Sequence, residues 1–558
     1  MHMKTLNFIA GSAMVIGLVS CGSKNTPDPN PAPPATLTIL ATRLDGITPS
    51  GTMYNTSVQA QIKFSFNNKV DRSTVAASVT IKENGSVTVP VTISYENADS
   101  TVIVTSSAPL KYLTRYVASS GTSIRSANGG LMYVASTFTF ITQVDPSDKF
   151  PQITDSQLLD LVQQQTFKYF WDFGHPVSGL ARERNTSGET VTSGGSGFGI
   201  MAIPVAINRN FITRAQGLAR MQTIVGFLKN TAQKFHGAFP HWLNGTTGVV
   251  IPFSTKDNGA DLVETSYLMA GLLTARQFFN GADAAETALR ADINTIWNGV
   301  EWNWFTQGGQ NVLYWHWSPN YNWEMNMKIQ GWNECLITYI MAASSTTYPI
   351  TQAVYREGFA RNGAMVNGSN YFGYTLPLGS ANGGPLFFAH YSFLGVNPNG
   401  LNDLYASYQQ QVVNHTKINY EYCRANPRGY FGYSADCWGL TACDIPTGYS
   451  ACSPNNDLGV IAPTAALSSM PYTPTESMNA LRYFYYKLGD KLWKQYGFVD
   501  AFSLNDLWFA DTFLAIDQGP IIVNIENYRS GLIWNLFTSC PEVKSGMKNV
   551  LGFTAPYL

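Results

Sequence analysis

Two periods of apolar positions divide the chain. From about residue 37 to 144, hydrophobic and polar residues alternate. "VQAQIKFSF" (58–66) places Val58, Ala60, Ile62, Phe64 and Phe66 on one side, as a half-buried strand does. "VTVPVTISY" (87–95) and "TVIVTS" (101–106) are rich in β-branched residues, and Asn84-Gly85 between runs of this kind is a hairpin signal. Short strands at regular spacing predict an all-β sandwich over 37–144. Past "DPSDKFPQ" (145–152), a linker, the period becomes helical. "TDSQLLDLVQQQTFKYF" opens with the capping-box spacing Thr154 to Gln157. In "GLARMQTIVGFLKN", Leu218, Met221, Val225 and Leu228 make one face. "TPTESMNALRYFYYKLGDKLW" starts with an N-cap, an N1 proline and an N3 acid at Thr473, Pro474 and Glu476. Helical runs recur through residues 150–558, separated by long Gly/Asn/Trp-rich loops. A closed array of helical hairpins, an α/α toroid, fits this alternation best, and loops of that length usually carry function.

The first residues bear on location. Lys4, the apolar "LNFIAGSAMVIGLVS" and Cys21 read as a signal peptide over 1–21. "LVSC" resembles the lipobox of bacterial lipoproteins, which makes Cys21 the lipidated N-terminus. Residues 22–36, "GSKNTPDPNPAPPAT", form a Pro-rich tether. The expectation is a protein of the cell envelope, held to a membrane through its lipid alone.

Charge then removes one class of partner. Lys and Arg total 35 against 36 Asp and Glu, a net charge of −1, so the basic surface that a nucleic-acid phosphate backbone needs is missing. The 29 Tyr and 13 Trp favour neutral, hydroxyl-rich ligands, because flat rings stack on sugars. No CxxC pair and no zinc spacing stands out among the cysteines and histidines. No metal and no cofactor is expected.

Hydrolysis of a glycosidic bond needs an acid for the leaving oxygen and a base for water, and four places offer carboxylates. In "KDNGADLVETSYLMAGLLTARQFF" (256–279), Asp257, Asp261 and Glu264 fall at i, i+4 and i+7. With a helix starting near Asn258 they share one stripe, either as acids that suit the helix dipole or as the floor of a site. Glu334 follows Gly331 and Trp332 at a predicted helix start in "KIQGWNECLITYI", beside an apolar face that would raise its pKa as a general acid requires. Asp517 lies between two apolar runs in "FLAIDQGPIIVNIENY". Asp436, among the aromatics of "GYFGYSADCWGLTACD", suits hydroxyl binding. Seven Trp fall between Trp297 and Trp332, and "LYWHWSPNYNWEMN" is too polar to be all core. "SGGSGFGIMA" (193–202) lacks a nucleotide-binding spacing and reads as a tight loop that a ligand can approach.

"GGSGFGIMAI", "GAFPHWLNGTTG", "DNGADLVETSYLMAGLL", "FFAHYSFLGVNPNG", "GYFGYSADCWGLTA" and "AIDQGPIIVNIENYRSGLIW" together resemble glycoside hydrolase family 144, the glycoamylase-like domain characterised as β-1,2-glucanases. The segment before it resembles bacterial Ig-like domains. The family resemblance covers about residues 150–558. It implies an (α/α)6 barrel and inverting cleavage of β-1,2-glucan to sophorose and short oligosaccharides, without a cofactor. It also implies Glu334 as the acid, Asp517 as the base, and Asp257, Asp261 and Glu264 along the substrate pocket. His241, Trp242, Trp317, His390, Asp436 and Trp438 are the further candidate sugar contacts. Within the same fold, exo-acting release of sophorose or transfer to another sugar is the alternative. From another class, a non-catalytic lipoprotein that captures glycan is the competitor.

Overall fold

The computed structural model describes residues 34–558. Cys21 and the signal segment lie outside them. The described chain forms two compact units, one ending at Ile141 and one running from Thr142 on, which also takes in Tyr112–Thr114.

The first unit is built from strands β1 (Ile39–Leu44), β2 (Thr52–Thr56), β3 (Gln61–Phe66), β4 (Val79–Glu83), β5 (Val87–Val89), β6 (Val91–Glu96), β7 (Thr101–Ser106), β8 (Arg115–Ser120) and β9 (Ser136–Thr142). They form a four-stranded sheet in the order β1-β3-β7-β6 and a five-stranded sheet in the order β2-β9-β8-β4-β5. Register follows the alternation: Ile62 pairs with Val104 and Phe64 with Val102. These four side chains share one core with Ile81 and Phe140 of the other sheet. Asn84 and Gly85 turn the β4–β5 hairpin at φ 49° and 72°, left-handed values that Asn and Gly tolerate.

The second unit is helical, and two kinds of helix are interleaved along it. Helices α1 (Asp155–Trp171), α3 (Arg214–Asn230), α5 (Ala284–Asn298), α7 (Tyr408–Ala425) and α8 (Pro474–Arg482) bury one face. Helices α2 (Ser193–Asn208), α4 (Leu262–Phe278), α6 (Leu336–Ser344) and α9 (Ala515–Arg529) are buried nearly all round, the mark of a central position. Thr154 caps α1 with the full capping box. Thr473 precedes α8, but its hydroxyl donates back to Ser469 O instead of capping.

The stretch 193–202 is not a loop. It forms the first turns of α2, and its glycines serve helix packing. A Cβ on Gly197 would come within 2.3 Å of Tyr267 O, and one on Gly271 within 2.3 Å of Gly197 O. Glycine is a poor helix former, by about 1 kcal/mol relative to alanine, but here its missing side chain lets α2 and α4 cross backbone to backbone. This is the most extensive helix–helix contact of the unit. The chain closes on itself as well, since α9 packs on both α2 and α1.

Gly271→Val is expected to destabilise the helical unit by about 2 kcal/mol or more, the cost of overpacking a fixed crossing. The measurement is the urea midpoint of that unit's transition. A wild-type midpoint would show that the two helices can separate without cost.

Candidate functional site

A cavity of about 400 Å³ opens where the inner helices begin, within the usual size of ligand sites. Stretches distant in sequence line it: Glu183, Arg184 and Thr192; His241, Trp242 and Phe253; Val263, Glu264 and Tyr267; Trp315; Glu334; Phe387 and Tyr391; Ala442 and Tyr449; and Leu514 and Ile516. Short backbone pairings hold these stretches in place. Thr192 pairs with Trp242, Asp261 with His316, and Arg184 with Leu514. Beneath them Phe198, Tyr267 and Tyr391 meet in tilted and edge-on contacts at centroid distances of 5.3–5.8 Å. One wall is aromatic: the His241 ring lies 4.2 Å from Phe253, and Trp242 meets the same ring edge-on at 4.8 Å.

Three carboxyls line this space: Glu183, paired with Arg184, and the two acids Glu264 and Glu334. Glu264 Oε2 accepts from Gly194 N at 2.7 Å and from Thr192 Oγ1 at 3.3 Å. A Cβ at position 194 would lie 2.5 Å from that oxygen, so only glycine can bring its amide there. Burial pushes the Glu264 carboxyl up to about 7. Glu334 sits in the turn before α6, its backbone oxygen accepting from the Ser392 hydroxyl. Its side chain opens to the cavity but is otherwise enclosed by protein, and this burial likewise pushes it up to about 7, with the Glu264 charge adding to the effect. Both acids keep a proton to near-neutral pH because water has been withdrawn from them.

The three acids of 257–264 do not form a helical stripe. Helix α4 starts at Leu262, and Asp261 is its N-cap, its Oδ1 accepting from Val263 N and Glu264 N at 3.0 and 2.9 Å. Asp257 precedes it in a turn closed by Ser254. Asp257 and Asp261 are buried beside His241 and His316, and of the three only Glu264 lines the cavity.

Asp517 is also buried, in the first turn of α9, behind Leu514 and Ile516 and not itself on the cavity surface. Burial, together with Asp500 beside it, drives its carboxyl well above the usual range. Asp500 is pushed up to about 7 by burial and accepts from Asp444 N at 2.7 Å. Asp444 in turn holds Arg184 at 3.2 Å and accepts from Thr512 Oγ1 at 2.6 Å.

Of the candidate sugar contacts, His241 and Trp242 line the cavity, and four others lie elsewhere. Trp317 packs among Phe235, His236 and Trp304. His390 is buried against Ser469 Oγ at 2.9 Å, and burial lowers its pKa to about 3. Trp438 is a core ring whose Nε1 donates to Glu476 O at 3.2 Å. Asp436 is exposed. Sequence reasoning missed Glu183, Arg184, Phe253, Trp315, Phe387, Tyr391 and Tyr449. A signal existed for two of them. In "FFAHYSF", positions 387 and 391 lie one turn apart on one helical face, which turns both rings to the cavity and His390 away from it.

Comparison with known proteins follows the division into two units. The Bacterial Ig-like domain profile matches residues 40–142, and the Glycoamylase profile matches residues 326–541. An exo β-1,2-glucooligosaccharide sophorohydrolase (non-reducing end) of Parabacteroides distasonis is 47% identical over 421 residues, 71% of this chain. The match spans 58% of the length of that relative. An endo-β-1,2-glucanase from Chitinophaga pinensis, solved with sophorotriose and glucose, is 52% identical over 73% of this chain and all of its own, with a TM-score of 0.71. A β-1,2-glucanase structure from Parabacteroides distasonis is 37% identical over 93% of this chain and 74% of its own, with a TM-score of 0.70.

The raised acids make stability pH-dependent. A carboxyl that folding moves from 4.5 to about 7 favours the folded state fully below pH 4.5. That contribution is lost as pH rises through about 7. Glu334→Gln and Glu264→Gln are therefore each expected to flatten the decline of the thermal midpoint between pH 4.5 and 7. An unchanged slope in both variants would show that neither acid is desolvated.

Proposed function

The chain belongs to the glycoamylase-like family, of the glycoside hydrolase family 144 type, with a bacterial Ig-like domain before it, and we propose that it hydrolyses β-1,2-glucan. The observation that carries this reading is Glu334: a carboxylic acid on the wall of an aromatic-lined cavity, kept protonated to about pH 7 by burial. The interleaving of buried and one-faced helices, with α9 returning to α1 and α2, supports reading the helical unit as an (α/α)6 toroid with the site at the inner-helix starts.

In the proposed inverting reaction, Glu334 gives its proton to the glycosidic oxygen as the bond from that oxygen to the anomeric carbon breaks. A water attacks the opposite face of that carbon, and a second carboxylate takes the water's proton. Inversion needs ~6.5–9.5 Å between the two carboxyls so that the water fits. The resemblance assigns the base to Asp517. Glu264 is the competing base, favoured by one observation: it lines the cavity with Glu334, whereas Asp517 lies behind the wall next to Asp500. Trp242, Phe253, Trp315 and Tyr449 offer ring faces for glucose units, and Arg184, held by Glu183 and Asp444, offers donors for hydroxyls.

We read the action as endo, giving sophorose and short oligosaccharides, with exo release of sophorose as the alternative. We also read Cys21 as the lipid attachment of an envelope protein. Among the described residues no helix is long and apolar enough to cross a membrane.

Glu334→Gln and Asp517→Asn are each expected to fold and to lower turnover of linear β-1,2-glucan by a factor on the order of 10² to 10⁴. Near-normal turnover in Asp517→Asn with collapse in Glu264→Gln would move the base to Glu264. Near-normal turnover in Glu334→Gln would end the acid assignment. Early products of mixed length support endo action; sophorose alone from the first minutes replaces it with exo. Cys21→Ala should move the protein from the membrane fraction to the soluble one on cell fractionation, and a variant that stays with the membrane refutes the lipid anchor.

A further inference from the structure

Behind the aromatic wall, two imidazoles and two carboxylates converge from three segments. His241 Nδ1 lies 3.6 Å from Asp257 Oδ2 and 3.1 Å from Asp261 Oδ2. His316 Nε2 lies 3.5 and 3.6 Å from the same two oxygens. Asp257 is 3% exposed and Asp261 0%, and among the described residues no Lys or Arg pairs with either of them.

The hydrogen bonding of this group is incomplete. Asp261 Oδ1 is used in capping α4, but Asp261 Oδ2 and the His241 Nδ1 that faces it have no hydrogen-bond partner although they are shielded from solvent. Two protonated imidazoles could neutralise the carboxylates only by pointing N–H groups at them. His241 Nδ1 and Asp261 Oδ2 are close enough for that and lack the angle. A shared cation explains both facts, since it sits beside the line joining two donor atoms and their lone pairs converge on it from either side.

We propose that His241, Asp257 and Asp261 form a binding site for a divalent transition ion of the Zn²⁺ type, with His316 packed against the two carboxylates. Adjacent donors bound to one ion at about 2.0–2.2 Å stand roughly 3.0–3.6 Å apart, and the separations of His241 Nδ1 from the two carboxylates, 3.6 and 3.1 Å, fall in that range. The mixed imidazole and carboxylate donors select a borderline ion over the all-oxygen preference of Ca²⁺ and Mg²⁺. The ion's role is positioning. It ties the turn before α4 and the wall residue His241 to the start of the helix that carries Glu264. Sequence spacing hid the site, because the ligands come from 241 and 257–261 and meet only in the fold.

The test uses the untagged full chain, stripped with a chelator and titrated calorimetrically with ZnCl₂, with CaCl₂ and MgCl₂ as separate arms. One equivalent of Zn²⁺ is expected to bind and to raise the thermal midpoint by ~2–4 °C. His241→Ala and Asp257→Asn are each expected to weaken this binding at least 10-fold. Absence of stoichiometric Zn²⁺ binding to the wild-type chain overturns the proposal, as does binding that both variants retain or preference for Ca²⁺. Binding is read without glucan, so failure here leaves the hydrolase reading standing, and failure of that reading leaves this measurement intact.

Discussion

The site depends on how closely α2 and α4 approach each other. Side chains on α2 would hold the two backbones apart, and Glu264 would then lose the Gly194 amide that stabilises it. A buried carboxyl without partners costs several kcal/mol. Here the cost is met partly by the amide and the Thr192 hydroxyl and partly by keeping the proton. Gly194 and Gly197, the two that face α4, thus act at two levels. They set the crossing of two buried helices, and they fix an acid at the mouth of the groove between them.

Around this pair the structure sorts its charges by burial. Glu264 and Glu334 are neutralised by protons, whereas Arg184 is ion-paired to Glu183 and Asp444. The Arg184 network runs on through Asp444 to Asp500 and reaches the neighbourhood of Asp517. The cavity therefore offers neutral acids and ring faces on one side and a held guanidinium on the other. That combination suits an uncharged polyol chain better than an anionic ligand.

Features governed by local chemistry were readable in advance. The capping box at Thr154, the alternation of 58–66 and the turn at Asn84-Gly85 each need only near neighbours, and all three appear in the structure. The family was also legible, because six motifs in order are far more specific than any period. What failed had long-range causes. The run 193–202 reads as a loop by propensity and becomes a helix because α4 leaves room only for glycine. The acids of 257–264 read as a stripe, yet the helix waits until Leu262, since Asp261 is pinned to His316 by a pairing across 55 residues. The motif points to His390 where Phe387 and Tyr391 face the cavity, an offset of a single residue from Tyr391 that a motif cannot resolve. Trp438 and Trp317 were read by residue type, and tryptophan fills cores as readily as it stacks on ligands.

The scattered origin of the cavity wall has a consequence for synthesis. Its contributors run from Glu183 to Ile516, so a chain emerging from the ribosome lacks one side of the wall until its last tenth has been made. No stable fragment ending before α9 can own this cavity. A chain cut before Leu514 lacks part of this wall, however much of the rest it keeps.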